Sequence, residues 1–230
     1  MRDYLVGGLA TARTSFGLVA DAVTGRSSIE RMDRRLKAWS RRLLDIADLK
    51  LDVSGLEQVD WSRQYVIMSN HQSHLDIPVL FHVVPSTMRM IAKQELFRIP
   101  ILGKAMLVSG FIPIDRKNRK RAMASIELAK ERIRSGISIW ISPEGTRTLD
   151  GHLLPLKKGG FVLARDTQTP ILPLVLDGTF AALPPSSGSI RRGTTVRVVI
   201  GQPIPVEGVP VNQVMEQVRS FFAAELGDRA

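Results

Sequence analysis

From about residue 50 onward, short apolar runs alternate with segments of helical periodicity, and this alternation strongly constrains the fold. Short runs rich in β-branched residues predict buried strands, whereas apolar residues recurring every three or four positions predict amphipathic helices. The predicted strands are 49–53, 65–68, 88–92, 111–115, 137–142, 171–176 and 196–200. The predicted helices are 76–84, 94–108 with an interruption at Pro100, 119–135, 159–166 and 211–226. Strands that alternate with helices predict an α/β domain, with a mostly parallel central sheet flanked by helices on both faces.

The strand predicted at 65–68 is soon followed by His71 and, five positions later, by Asp76. Asp76 stands directly before Ile77-Pro78, a pattern typical of a helix start, so we expect Asp76 at or near the N-cap. A strand end, a short loop and a helix start bring separated side chains together in the crevice of an open sheet. An imidazole held by a carboxylate is a general base with a fixed tautomer. The alternative is a histidine in a polar loop and an aspartate that only caps.

Two further polar segments also follow predicted strands. Arg116 comes directly after 111–115, and the segment 143–147 (Pro-Glu-Gly-Thr-Arg) follows 137–142. A glycine lets the backbone approach a ligand and donate an amide to an anion, and an arginine fork suits phosphate. The alternatives are a solvated helix start and an ordinary turn. Because ligands of α/β proteins collect at strand ends, these segments predict an anion site beside His71.

The charge balance points to an anionic partner. The formal net charge is +10 and the sequence pI is about 10.5. Such a balance suits nucleic acid, an anionic membrane or a phosphorylated substrate. No module combining basic and aromatic residues is recognisable, so we expect no nucleic-acid partner. The absence of cysteine excludes disulfides and thiolate chemistry, and His74 lies near His71 without a third ligand, so no metal site is predicted.

The N-terminal segment contains a strongly amphipathic helical pattern. One stripe is apolar and the other faces are rich in arginine. The apolar residues are Ile29, Met32, Leu36, Trp39, Leu43 and Ile46. This stripe packs on the core, or it lies in a membrane interface with its arginines at lipid phosphates. Residues 4–23 are mildly apolar but interrupted by Arg13 and Asp21, so no transmembrane helix is predicted.

The order and spacing of the motifs resemble the glycerolipid acyltransferase family, and within it the bacterial PlsC-type lysophosphatidate acyltransferases. The resemblance covers roughly residues 50 to 205. Its motifs are Asn70-His71-x4-Asp76, Gly110-x5-Arg116, Pro143-Glu144-Gly145-Thr146-Arg147 and Thr169-Pro170-Ile171-Leu172-Pro173-Leu174. The chain departs from the family pattern at Ser142, where phenylalanine is common, and at Thr148, where serine is common. Both departures bear on substrate choice, and neither removes a chemically necessary group.

The resemblance implies transfer of an acyl chain from acyl-CoA or acyl-carrier protein to the sn-2 hydroxyl of lysophosphatidate, giving phosphatidate. It implies His71 as the general base and Asp76 as the residue that orients the imidazole. It also implies no acyl-enzyme and no cofactor apart from the acyl donor as co-substrate. The alternative within the same chemistry is O-acylation of another lysophospholipid or of lyso-ornithine lipid.

The same resemblance implies a substrate-binding set around this base. Arg116 and Arg147 match family positions that bind the acceptor's phosphate, and Lys93 matches a lysine that also approaches it. Backbone amides around Gly145 would contribute to an oxyanion hole, Thr146 belongs to the same substrate-binding segment, and Glu144 is expected to order that loop.

Family members reach the bilayer through N-terminal helices, which implies two segments in this chain. Residues 1–48 would be a helical membrane-association segment, and residues 49–230 the α/β acyltransferase domain. The resemblance therefore implies a peripheral or monotopic protein at the cytoplasmic face of the cell inner membrane. Its partners would be lysophosphatidate, the acyl donor and an anionic membrane surface.

Overall fold

The computed structural model describes residues 2–187 and 189–229, including all their side chains except those of residues 2–4 and 119. These residues form eight α-helices and seven strands. The helices are α1 (Arg2–Val23), α2 (Ile29–Ala47), α3 (Asp76–Val83), α4 (Leu102–Val108), α5 (Arg119–Arg134), α6 (Gly159–Asp166), α7 (Thr179–Ala182) and α8 (Val211–Leu226). The strands are β1 (Lys50–Ser54), β2 (Val66–Ser69), β3 (Met88–Lys93), β4 (Ile112–Ile114), β5 (Ser138–Ile141), β6 (Ile171–Asp177) and β7 (Thr195–Ile200).

The described strands form one sheet in the order β1-β7-β6-β2-β5-β3-β4. All neighbouring pairs are parallel except β6 and β7, so the predicted mostly parallel sheet is confirmed. Because β7 is antiparallel to β6, β1 and β7 run against the other five strands. The carboxyl ends of those five strands lie at one edge, which we call the carboxyl edge. Every residue of β2 is buried, as expected for a central strand covered on both faces.

Alternating side chains of the central strands enter two apolar clusters, one on each face of the sheet. In β2 and the residue before it, Tyr65 and Ile67 join one cluster, whereas Val66 and Met68 join the other. The first cluster is covered by α1, α2, α3 and α4, which we call the α1–α4 layer. The second is covered by α5, α6 and α8, which we call the α5–α8 layer.

The apolar stripe of α2 packs inwards. Leu36 and Leu44 are buried in the first cluster, and Met32 and Trp39 pack against it. Ser28 caps the start of the helix by accepting a hydrogen bond from the amide of Arg31. Of the two interpretations of this stripe, packing on the core is therefore the one that the structure shows.

Helix α1 covers α2 and α4 and leaves a row of large apolar side chains on the surface. Asp21, which the sequence suggests is an interruption, accepts hydrogen bonds from Arg31 and Arg35 and joins α1 to α2. These hydrogen bonds lower the pKa of Asp21 well below its ordinary value. Within the described residues, none of the helices is both long and apolar enough to cross a membrane.

The segment 94–108, predicted as a helix interrupted at Pro100, forms two separate elements. A 3₁₀ turn covers Gln94–Arg98, and α4 begins only at Leu102. Between them, the amide of Leu102 donates to the carbonyl of Pro100 at 2.7 Å, and Ile101 has a positive φ of 64°. This is a γ-turn, a strained conformation for a β-branched residue.

Candidate active site

The loop after β2 places His71 and Asp76 in contact. The Nδ1 atom of His71 lies 2.7 Å from Oδ2 of Asp76. The same oxygen accepts the backbone amides of Gln72 at 2.8 Å and Ser73 at 2.9 Å. An oxygen surrounded by donors behaves as an ionised acceptor, so we assign the ring proton to Nδ1. Nε2 then has a free lone pair, which is the state that a general base requires.

Asp76 lies next to the N-cap of α3, as expected from its position before Ile77-Pro78, but its side chain does not cap the helix. It is the first residue of the helix, and Leu75 occupies the N-cap without a side-chain hydrogen bond. The carboxylate turns back to the amides of the preceding loop instead. Asp76 is completely buried, so this network fixes both the loop and the imidazole.

Neighbouring segments hold the His71 loop at the carboxyl edge. The side-chain amide of Asn70 donates to the carbonyl of Leu176 at 2.9 Å and accepts its amide at 2.8 Å. The hydroxyl of Ser73 donates to the carbonyl of Leu183 at 2.8 Å. The residues around the predicted base are therefore anchored to β6 and to the end of α7.

Glu144 joins the His71 loop to the loop after β5. Its Oε1 accepts the amide of His71 at 2.6 Å, and its Oε2 accepts the amide of Leu154 at 2.9 Å. The amide of Thr148 donates to the carbonyl of His71 at 3.0 Å, which closes the connection from the other side. Burial raises the pKa of Glu144 to about 7. Glu144 is buried and does not line the cavity beside His71, so its side chain is placed to order the loop from behind that cavity.

A cavity of about 560 Å³ opens at the carboxyl edge beside His71. Its polar lining brings together residues from the ends of four strands. These residues are His71, His74, Lys93, Arg116, Ser142, Thr146, Arg147 and Lys157. The structure thus places the three predicted phosphate-binding cations on the same cavity as the predicted base.

The apolar lining of this cavity extends onto both faces of the sheet. Side chains facing the α1–α4 layer form a first arm, which consists of Ile77, Met90, Ala92, Leu96 and Trp140. Residues on the side of the α5–α8 layer form a second arm, which consists of Ile91, Ile114, Ala122, Ile141 and Gly160. A cationic mouth above two apolar arms suits substrates with an anionic group and long hydrocarbon chains.

The loop 143–147 has one glycine in the left-handed region, Gly145, with φ of 72°. The Gly145 amide donates to the carbonyl of Ser142 at 3.1 Å, and its carbonyl accepts from Arg116, so this amide is already used. The amide of Thr146 has no acceptor among the described residues. Of these two amides, that of Thr146 is therefore the one still available to an oxyanion.

Sequence reasoning missed Lys157. Its amide donates to the carbonyl of Pro143 at 2.8 Å, and its ammonium group lies over Gly145. A Cβ added to Gly145 would lie only 2.8 Å from Nζ of Lys157. Lys157 lies outside the 143–147 motif, and the sequence signal for it was a Lys-Lys pair directly before the Gly-Gly start of α6.

His74 and Trp140 were also missed as cavity residues. The pKa of His74 is lowered by desolvation and then by the positive charge of Arg147, which favours the neutral imidazole. Trp140 meets the ring of His71 edge to face at a centroid distance of 6.4 Å, and its indole N–H donates to Ser69. Among the described residues, no group of three His, Asp or Glu side chains is placed to hold a metal ion.

A second cavity, of about 640 Å³, lies at the opposite edge of the sheet; Thr169 and Pro170 of the fourth motif line it, but none of the predicted catalytic or substrate-binding residues does. Its lining includes Arg134 and Arg165, which stand in the last turns of α5 and α6. Cations at helix C-termini are favoured by the helix dipole. Helix stability therefore accounts for these two arginines. The candidate catalytic residues lie at the carboxyl edge instead.

Comparison with known proteins agrees with this geometry. The profile of the family described as Acyltransferase matches residues 50–177. The chloroplastic 1-acyl-sn-glycerol-3-phosphate acyltransferase BAT2 of Brassica napus is 38% identical over 77% of this chain and 51% of its own length. The human 1-acyl-sn-glycerol-3-phosphate acyltransferase beta is 35% identical over 72% of this chain and 60% of its own. The chain thus spans roughly half to three-fifths of these two relatives.

A solved structure shares the fold. The crystal structure of the 1-acyl-sn-glycerophosphate acyltransferase PlsC from Thermotoga maritima superposes with a TM-score of 0.78 at 23% identity. The match covers 97% of this chain and 96% of the other. Both the α/β core and the N-terminal helices therefore fall within the shared architecture.

Proposed function

The chain belongs to the acyltransferase family, and from that premise we propose that it transfers an acyl chain to the sn-2 hydroxyl of lysophosphatidate. The donor would be a thioester, acyl-CoA or acyl-carrier protein, and the product phosphatidate. The observation that carries the proposal is the position of the His71–Asp76 pair beside Lys93, Arg116 and Arg147 on one amphipathic cavity. The activity for which these relatives are named supports the same substrate class.

In the proposed reaction, Nε2 of His71 removes the proton from the acceptor hydroxyl while the hydroxyl oxygen bonds to the carbonyl carbon of the thioester. The tetrahedral intermediate then collapses, the carbon–sulfur bond breaks, and the imidazolium returns the proton to the leaving thiolate. Asp76 keeps the proton of the resting ring on Nδ1 and stabilises the imidazolium between the two transfers. A positioned base of this kind contributes about 10²–10⁴-fold to the rate.

The cations and the free amide have separate tasks in this proposal. Lys93, Arg116 and Arg147 hold the phosphate of the acceptor, with the planar guanidinium groups able to bind two oxygens each. The Thr146 amide stabilises the oxyanion that forms when the carbonyl is attacked, a contribution of about 3 kcal/mol for one donor.

We further propose that the protein lies on the cytoplasmic face of the inner membrane as a peripheral or monotopic protein. Because the apolar stripe of α2 packs inside, lipid contact is assigned to α1 and to the residues before and within α4. The exposed apolar side chains there include Leu5, Leu9, Phe16, Ile99, Ile101 and Leu107. The strained γ-turn at Ile101 holds that side chain half exposed. Backbone strain of this kind is found at functional sites, which agrees with a role in lipid contact.

The test of the reaction is transfer of labelled oleate or palmitate from a thioester to lysophosphatidate by the wild type and by His71→Ala. We expect His71→Ala to lower kcat by about 10²-fold or more. His152→Ala is a matched control, because it removes an exposed imidazole outside the cavity, and it should keep full activity.

Equal activity of the wild type and His71→Ala would contradict the proposal. So would an inactive wild type across several lysolipids. If the protein acylates another lysolipid and added lysophosphatidate does not inhibit that reaction, the proposed acceptor would be wrong. The proposed chemistry at His71 would still hold.

A further inference from the structure

A group of exposed cations flanks the cavity on the side of the α5–α8 layer. We call it the basic rim, and it consists of Lys117, Lys120, Arg121, Lys157 and Lys158. Only Arg121 has an acidic partner within 4 Å among the described residues, a contact of 3.4 Å with Asp115. Within that distance, the part of the chain that the structure describes offers no carboxylate to any of the four lysines.

The stability of α5 does not explain the basic rim. The N-terminus of a helix carries a partial positive charge, so acidic residues are favoured in its first turn and cations are unfavourable. The first turn of α5 contains no acidic residue, although Lys120 and Arg121 stand there. The last turn carries Arg132 and Arg134, as the dipole prefers. Departures from such local rules are found at functional sites, so the first turn of α5 is a candidate for a role other than helix stability.

The basic rim stands at the mouth of the second arm. Ala122, next to Arg121, lines this arm, and so does Gly160 from the first turn of α6. Lys157 itself lines the cavity, whereas Lys117, Lys120, Arg121 and Lys158 lie outside it on the open surface. The apolar side chains assigned to lipid contact belong to the α1–α4 layer, on the other face of the sheet.

We propose that an acidic acyl-carrier protein docks on the basic rim and delivers its acyl chain into the second arm. This inference rests on the proposed function, and it assigns the donor to one face of the sheet and the lysolipid to the other. Four of the five cations lie outside the cavity, where they suit a protein surface better than a small ligand. Met123, one turn from Lys120, is 52% exposed and offers an apolar contact amid the charges, as protein interfaces commonly do.

In this arrangement the carrier's thioester reaches His71 from the α5–α8 side. The carrier departs as the free thiol after its acyl carbon has bonded to the acceptor oxygen, with the proton returned by His71. Charges outside the cavity would then affect how fast and how tightly the carrier binds, and would not affect the rate of the chemical step.

The test compares Lys117→Glu/Lys120→Glu with Arg134→Glu/Arg219→Glu, a control that removes the same charge from exposed sites away from the rim. The specificity constant kcat/KM is measured with an acyl-carrier-protein thioester, acyl-CoA and an uncharged N-acetylcysteamine thioester, with lysophosphatidate as acceptor. For the carrier protein, we expect the rim variant to lose about tenfold in kcat/KM, mainly through KM, at low salt. The loss should shrink in 0.5 M NaCl, and the uncharged donor should react as with the wild type.

A direct titration of wild type and rim variant with holo-acyl-carrier protein decides docking independently of turnover. An inactive wild type that still binds the carrier through the rim would refute the proposed function and support docking. Unchanged carrier binding in the rim variant would overturn the inference. An equal loss of kcat/KM in the control variant would also overturn it. So would a rim variant that loses as much kcat/KM with the uncharged donor, or more with acyl-CoA, or that binds anionic vesicles less tightly than the wild type.

Discussion

The α1–α4 layer and the α5–α8 layer bury comparable apolar clusters against the sheet but present different chemistry to the solvent. On α1, Leu9 is 70% exposed and Phe16 is 66% exposed. On α5, the exposed first turn carries Lys120 and Arg121 without an acidic residue. The inner faces obey the same requirement for burial, so the difference lies in the outer faces alone. Two substrates of different solubility, a membrane lipid and a carrier-borne thioester, would each suit one of these surfaces.

The two layers also differ in how deeply the cation of an ion pair is buried, in one case between a helix and the sheet and in the other between two helices. Arg89 of β3 is 1% exposed, and its Nη1 lies 2.6 Å from Asp33 of α2. The hydroxyl of Thr87 donates to the other oxygen of the same carboxylate at 2.6 Å. In the α5–α8 layer, Lys130 of α5 pairs with Asp166 of α6 at 3.2 Å in a more accessible position. A buried cation depends far more on its partner than an accessible one does.

The largest effect is expected from Asp33→Ala, which leaves the buried Arg89 guanidinium without its carboxylate. We expect a loss of about 3 kcal/mol in the free energy of unfolding, measured by urea denaturation. Asp166→Ala in the other layer is the control and should cost less than about 1 kcal/mol. Similar losses of unfolding free energy in the two variants would contradict the proposed difference between the two ion pairs.

The carboxyl edge, where the layers meet, should control the pH dependence of stability through Glu144. Burial raises the pKa of Glu144 from 4.5 to about 7, so the folded protein binds this proton more tightly than the unfolded chain. Its contribution to stability is therefore fully present below about pH 4.5 and is lost as the pH rises through about 7. Between pH 5 and 8 we expect a decrease of about 2 kcal/mol in the free energy of unfolding.

Glu144→Gln removes the titrating group and keeps an acceptor for one of the two amides. Denaturation curves of this variant at several pH values should show a flatter profile than the wild type. A profile identical to that of the wild type would assign the pH dependence to other groups.

The smallest effect concerns the exposed apolar side chains. Leu9→Ser/Phe16→Ser should weaken binding to anionic vesicles by about tenfold, because two side chains that would enter the interface are lost. Met123→Ser/Leu128→Ser changes two exposed side chains on α5 and should leave vesicle binding unchanged. Sedimentation with liposomes measures both. Equal losses, or a wild type that ignores the vesicles, would break the assignment of lipid contact to the α1–α4 layer.

The core of the fold was predictable because its signals are local. All seven strands lie within one residue of their predicted bounds, since short apolar runs are a local signal for strands. Strand ends in a parallel sheet share one edge, so the shared location of His71, Arg116 and Arg147 followed from their positions after predicted strands. The reversal of β7 was not predicted, because strand direction depends on how the chain returns after β6.

The amino-acid sequence by itself determined the α/β layering and the place of His71, Asp76, Arg116 and Arg147 at the ends of strands. Periodicity and strand ends are properties of neighbouring residues, and no distant contact is needed to read them. The tertiary structure alone decided that the α2 stripe packs inwards, that Glu144 lies behind the cavity, and that Lys157 reaches Gly145. Burial and reach depend on which elements pack opposite a side chain, and those elements come from remote parts of the chain.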